Sequence, residues 1–175
     1  MGLTNSVVTI GLKGIEIADI ANDGGPGTVF KKFGNVSTDS FAFAESEPTL
    51  KQVLIEESSY SLKDFRTKGQ LIATANIADP DTEMYAEVRG GTISTATAGQ
   101  KIYSEGDEFV NVEKTVKIFP AEGLSFQLNR ASLSGLITGG LGKNQELYLV
   151  VSISAMQPLK AGTKVMQVIE TVPES

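Results

Sequence analysis

Apolar side chains recur at every second position in run after run of this chain, and each run stops at glycine, proline or an Asn/Asp cluster. A period of two places alternate side chains on opposite faces of a strand, whereas a helix needs apolar residues at spacings of three and four. The Val, Ile and Thr enrichment, the 18 glycines and the lack of a long helical face predict a mainly β fold, a sandwich or barrel. The 175 residues are enough to bury about 70% of their extended surface in one core, so a single domain over 1–175 is expected. Hydrophobic residues at 41% and charged residues at 21% fit a globular chain, too polar for a membrane span.

The opening run 7–17 alternates and breaks at Asn22-Asp23-Gly24-Gly25-Pro26-Gly27, a turn or mobile loop. Over 40–57, two strand-like runs flank Ser46-Glu47-Pro48-Thr49 and read as a hairpin, with Phe41 and Phe43 on one face and Ala42 and Ala44 on the other. Its second arm, 50–57, also fits a helix, because Leu50, Val53 and Leu54 fall at i, i+3 and i+4. Residues 58–69 are polar with spaced aromatics and read as a loop. Over 70–77, Leu71, Ala73, Ala75 and Ile77 alternate with Gln70, Ile72, Thr74 and Asn76, a half-buried strand.

A short helix is predicted over 79–90, with Asp79 as N-cap, Pro80 at the first helical position, Met84 and Val88 facing the core, and Arg89 suiting the C-terminal dipole before Gly90-Gly91. At about two and a half turns it must be pinned against a sheet. Further strands are expected at 93–98, 109–119, 125–128, 146–156 and 164–171, with turns at Pro120-Ala121-Glu122-Gly123 and at 139–144.

Chemistry is narrowed by what is missing. The chain has no His and no Cys, which removes Ser-His-Asp and Cys-His nucleophilic sites, His- or thiolate-bound zinc, c-type haem attachment, iron–sulfur ligation and dithiol redox exchange. No side chain has an unperturbed pKa near neutrality, so acid–base work would need a strongly shifted carboxylate or lysine. The expectation is a non-enzyme without cofactors or metals. No secretory signal is read at the N-terminus, and Met1-Gly2-Leu3-Thr4-Asn5-Ser6 fits the loose myristoylation pattern without a polybasic second anchor, as a chance match would. Asn35-Val36-Ser37 is a formal glycosylation sequon.

Each motif that invites a chemical reading has a plainer one. Gly139-Gly140-Leu141-Gly142-Lys143-Asn144 suggests a phosphate loop, but Ile137 stands where the first glycine belongs and Asn144 where Ser or Thr should hold the metal, so a strand-to-strand turn is expected. Asp79, Asp81 and Glu83 resemble the start of a calcium loop, yet Pro80 and the missing glycine and terminal acid favour helix capping. Glu45, Glu47, Glu56 and Glu57, and then Glu105, Asp107 and Glu108, form acidic patches that could supply a paired-carboxylate hydrolase, but a solvated surface is the better reading. With scattered basic residues and a net charge of −6, specific nucleic-acid binding is not expected.

The order of elements, an N-terminal strand, a long strand–loop–strand excursion over 33–70, a strand running into a short helix, then a second set of strands, resembles the tail tube proteins of bacteriophages. The closest local likeness is Glu113-Lys114-Thr115-Val116-Lys117-Ile118-Phe119-Pro120-Ala121-Glu122-Gly123 with the strands that follow it. The resemblance implies a β domain that does no chemistry and assembles into stacked hexameric rings, in a virion tail built in the host cytoplasm, with other tail proteins as further partners. It implies that the excursion reaches the adjacent ring, with Phe41, Phe43, Leu50, Val53, Tyr60 and Phe65 as inter-subunit contacts. Glu45, Glu47, Glu56 and Glu57 become candidates for a channel lining that repels DNA phosphates. From the residues themselves, a glycine-rich sandwich leaves edges to be covered or used, and head-to-tail repetition uses them. The rival readings are a monomeric β-sandwich ligand-binding module and, more distantly, a carboxylate-dependent hydrolase.

Overall fold

The computed structural model describes residues 8–57, 59–96, 98–108 and 110–170. The Met1–Ser6 pattern, and Val7, Ser58, Thr97, Phe109 and Thr171 of the expected runs, lie outside the described residues. The fold is mainly β, as expected, with twelve strands and one helix among the described residues. In chain order these are β1 (Gly14–Asp19), β2 (Lys31–Lys32), β3 (Ala42–Glu45), β4 (Thr49–Val53), β5 (Lys63–Thr67), β6 (Leu71–Ile77), α1 (Thr82–Arg89), β7 (Thr92–Ser94), β8 (Ile102–Ser104), β9 (Val112–Phe119), β10 (Ser125–Gly142), β11 (Gln145–Ala155) and β12 (Met166–Ile169).

The main sheet runs β2-β1-β9-β10-β11-β6-β3, with β12 also paired to β10 and every pairing antiparallel. Alternation puts one side of β1, β6, β9, β10 and β11 in a shared interior. Ile15, Ile118 and Phe126 form one rung across β1, β9 and β10, and Ile17, Val116 and Leu128 the next. Across β10, β11, β6 and β3 the rung is Leu133, Ile153, Ala73 and Phe43. The Phe43 and Phe126 rings meet edge-on at 5.2 Å although their strands are not sheet neighbours, so the sheet is folded over on itself.

The fold-over is made within β10. Its first half pairs with β9 and β12, its second half pairs with β11, and the register slips between Leu128 and Ala131. A bulge of this kind lets one strand pass from one layer to the other. Asn129 at the slip is fully buried, and its polar groups are paired: its backbone N–H donates to Val165 O at 3.0 Å, its side-chain amide donates to Lys164 O at 2.8 Å, and its Oδ1 accepts from Gln127 at 2.6 Å. The Asn129 carbonyl accepts from the Thr115 hydroxyl at 3.0 Å.

The strands beside the two ends of the folded sheet, β1 and β6, are linked by the segment that leaves β2. Phe33 N–H donates to Ile15 O on β1 at 2.8 Å, and two residues on, Asn35 O accepts from Ala78 N–H at 3.0 Å. Val36 bridges Ile77, and Ser37 N–H donates to Asn76 O at 2.7 Å, so the chain crosses from β1 to the end of β6 within a few residues. Phe33 is buried beneath the crossing.

The helix starts later than expected. Asp79 does not cap it, because its carboxylate accepts the backbone N–H of Asn35 at 2.9 Å and the Asn35 side-chain amide as well. Asp81 takes the N-cap position and accepts from Met84 N–H at 2.8 Å, which leaves Pro80 ahead of the cap. Val88 is buried, Met84 packs on the core, and Gly90 ends the helix at φ 73°, as the sequence pattern indicated. Val88 seats over β10 at Gly135, where a Cβ would stand 2.5 Å from Val88 Cγ1.

Ion pairs hold the helix to the sheet from the other side. Lys114 on β9 contacts Glu87 at 2.5 Å and also pairs with Asp19, while Lys31 pairs with Glu87. Burial pushes the Glu87 carboxyl up, but the hydrogen bonds and charges of Lys114 and Lys31 outweigh that and hold it below its ordinary value. Glu87 therefore contributes stability at neutral pH that disappears as pH falls through its depressed pKa.

Two stability measurements follow. In urea titrations, Leu133→Ala should lose about 2–5 kcal/mol, the range for a fully buried leucine that leaves a cavity. Glu87→Gln should be less stable than the parent chain at neutral pH, and the gap should close on acidification below the ordinary carboxylate range near 4.5; a gap that widens in acid would contradict this assignment.

Candidate assembly surface

Between β3 and β6 the chain leaves the body and returns as a separate two-stranded sheet of β4 and β5. The expected hairpin at 46–49 is not formed: β3 pairs with β6 and β4 with β5, so Ser46-Glu47-Pro48 is a link between sheets. The reason lies at the root, where Ser46 N–H donates to Gln70 O at 2.9 Å and Gln70 N–H donates to Ser46 Oγ at 2.8 Å. Gly69 is required there, since a Cβ would lie 1.7 Å from Ser46 O. The latch sends both strands outward together. Of 50–57, read as a strand with a helical alternative, the part up to Val53 is a strand, and 63–67, expected as loop, is its partner.

This arm, residues 49–67, has no exposed-to-buried alternation, because every residue of both strands is exposed. The register pairs Thr49 with Thr67, Lys51 with Phe65 and Val53 with Lys63 on one face, and Leu50 with Arg66 and Gln52 with Asp64 on the other. Lys63 lies over the Phe65 ring at 4.8 Å. At the tip Leu62 N–H donates to Val53 O at 2.8 Å, and Leu54 and Leu62 are 64% and 70% exposed. A two-stranded hairpin of this length is marginal by itself, and apolar side chains on both its faces lack cover within the described chain.

Four of the six expected contact residues, Leu50, Val53, Tyr60 and Phe65, lie on the arm and are exposed. Phe41 and Phe43 do not present themselves in the same way: both are half-buried and pack against the core, Phe43 on Phe126, because β3 belongs to the main sheet. The four candidate lining acids are split between two places. Glu45 and Glu47 flank the root, Glu56 and Glu57 sit at the tip, and a five-residue strand of about 17 Å separates the pairs.

The other chemical motifs resolve into structure. The stretch 139–144 ends β10 and turns at Lys143-Asn144 into β11, with Gly142 paired to Gln145 and no helix following. Asp79, Asp81 and Glu83 each have a separate partner, namely Asn35, Met84 N–H and Lys101. Among the described residues no group of three or more carboxylates is placed to hold a metal ion. Glu105 pairs with Arg89, which apart from this donates to Gly135 O at 2.8 Å. The outer part of the β10–β11 hairpin is a second exposed apolar surface, with Leu136 at 70% and Leu141 at 90%; its only sequence signal is the glycine run. A groove of about 490 Å³ is open and lined by Leu12, Lys13, Lys32, Asn35, Val36 and Phe41 among others. Among the described residues no helix is long and apolar enough to cross a membrane.

The chain matches no protein-family model and no curated protein. The arm and the outer β10–β11 hairpin both expose apolar side chains, and of the two only the arm is a sheet separate from the body. Leu54→Ser and Leu62→Ser should each shift unfolding free energy by no more than about 0.5 kcal/mol, as at uncommitted surface sites. Phe43→Ser, measured in the same titration, should cost several times as much.

Proposed function

We propose that this protein is a virion structural subunit, a tail tube protein that self-associates into stacked homohexameric rings around a DNA channel. It acts in a virion tail assembled in the host cytoplasm, beside other tail proteins, and performs no catalysis. The observation that carries the reading is the arm over 49–67, an outward hairpin latched at its root and apolar on both faces. An element that the chain itself does not cover is explained when a neighbouring copy covers it.

A small β body fits the role mechanically. The sheet is folded over, and the segment between β2 and β3 hydrogen-bonds to both β1 and β6, while β2 and β3 remain end strands open to a neighbour. Repetition through an arm that leaves one copy and seats on another is a head-to-tail contact, which generates rings or stacks according to its rotation. An arm inserted in a neighbour takes Glu56 and Glu57 into that contact. Glu45 and Glu47 at the root are then the two of the four acids that a channel lining would retain.

Analytical ultracentrifugation and negative-stain imaging over a wide concentration range test the proposal. The intact chain should form rings, stacks or tubes. Replacing 49–67 with a short Gly-Ser turn should leave a monomer whose thermal midpoint stays within about 3 °C of the parent's, given that about 1 kcal/mol moves a domain of this size by 2–4 °C. A chain that stays monomeric throughout, with a melting temperature raised by a small molecule bound in the groove at Lys13 and Lys32, would replace this reading with the ligand-binding module.

A further inference from the structure

The charge on the arm differs in balance and in use from that on the body. Residues 49–67 carry three basic side chains (Lys51, Lys63, Arg66) against three acidic ones, which leaves twelve basic against eighteen acidic in the rest of the chain. Among the described residues all seven ion pairs lie in the body, where six cations are engaged, and none involves a cation of the arm. The arm is a neutral element on a strongly negative block, and its cations stand outside those ion pairs, Lys63 lying over the Phe65 ring.

The register sorts those charges. The face with Thr49, Lys51, Val53, Lys63, Phe65 and Thr67 holds two cations and two apolar side chains without a carboxylate, while the opposite face balances Arg66 with Asp64. Two such cationic faces repel each other, so a symmetric contact between arms is disfavoured and a contact with the acidic body is favoured.

Body acids are not equally available. Asp19, Asp23, Glu83, Glu87, Glu105 and Glu113 are ion-paired, Asp79 and Asp81 accept backbone N–H groups, and Glu45 shares a groove with Lys68 of its own chain. Asp107 and Glu108 are adjacent in sequence and exposed, among the described residues neither takes part in an ion pair, and Val110, two positions after Glu108, is exposed as well. They reproduce in opposite sign what the arm face offers, paired charge beside apolar surface.

Resting on the self-assembly reading above, we propose that the arm face bearing Lys51, Val53, Lys63 and Phe65 docks on the loop bearing Asp107, Glu108 and Val110 of a second copy, making association arm-to-body. The contact is heterologous: each copy gives an arm and receives one. Its charge component weakens with ionic strength, while the Val53, Phe65 and Val110 contact persists.

Charge reversal tests the pairing in sedimentation velocity, with circular dichroism and thermal melting to confirm that each variant is folded; all four charged side chains are exposed. Lys51→Glu/Lys63→Glu and Asp107→Lys/Glu108→Lys should each weaken association about tenfold or more. The chain carrying all four changes should associate again, as should an equimolar mixture of the two double variants. Assembly of Asp107→Lys/Glu108→Lys like the parent, or failure of the fourfold variant to recover, would overturn the pairing while leaving self-assembly intact. A 1:1 complex between the parent and Lys51→Glu/Lys63→Glu, absent for either alone, would show arms pairing with arms and would also overturn it. A parent chain that never associates overturns this inference and the assembly reading together.

Discussion

The crossing between β1 and β6 is the constraint from which the other features follow. The sheet ends on β2 and β3, and the few residues between them hydrogen-bond to the strand beside each end: Phe33 to Ile15, then Asn35 and Ser37 to the end of β6. The crossing is short, so the two ends must lie close together, and they do so only because β10 slips register at Asn129 and carries the chain from one layer to the other. Asn129 is buried at no polar deficit, since the 164–165 backbone meets its groups. The crossing also decides where the helix begins: once Asp79 is used to hold Asn35, the cap passes to Asp81.

That history explains which features were legible in the sequence. Strands with one face buried, such as β6 with Ala73, Ala75 and Ile77 inside, announce themselves by alternation, and the helix by its Met84 and Val88 spacing and Gly90. The β4–β5 arm gave no such signal because neither face is buried; Lys63-Asp64-Phe65-Arg66-Thr67 looks like loop for the same physical reason that makes it a candidate interface. The expected 46–49 turn failed because the competing partner, Gln70, is twenty-four residues from Ser46 and local patterns do not report pairings of that range. The length of β10 was hidden in a related way, since Asn129, Arg130, Ser132, Ser134 and Gly135 read as polar or turn-forming residues. They are tolerated within a strand because Asn129 is paired, Arg130 reaches Glu113, Ser132 reaches Asn111 and Gly135 makes room for Val88.

The candidate site was legible in part. Leu50, Val53, Tyr60 and Phe65 lie on the exposed arm, whereas Phe41 and Phe43, chosen for the same aromatic and apolar character, serve the interior. Residue type alone does not separate the two cases; what separates them is which sheet the strand joins, a fact set by the latch at Ser46, Gly69 and Gln70. The acids behave alike: Glu105 and Glu113 bind arginines of their own chain, and a charge that stands beside an internal partner has less to offer a neighbour.

Charge limits how copies can meet. A body with eighteen acids against twelve bases repels another like it. Body-to-body contact is therefore opposed by like charge. The arm is exempt: its charges balance, one of its faces is cationic, and its apolar side chains lie outside the main sheet. Whatever covers those side chains must tolerate Lys51 and Lys63 beside them, and an acidic surface with apolar residues at its margin does so at the least desolvation cost, because the charges remain paired as water leaves.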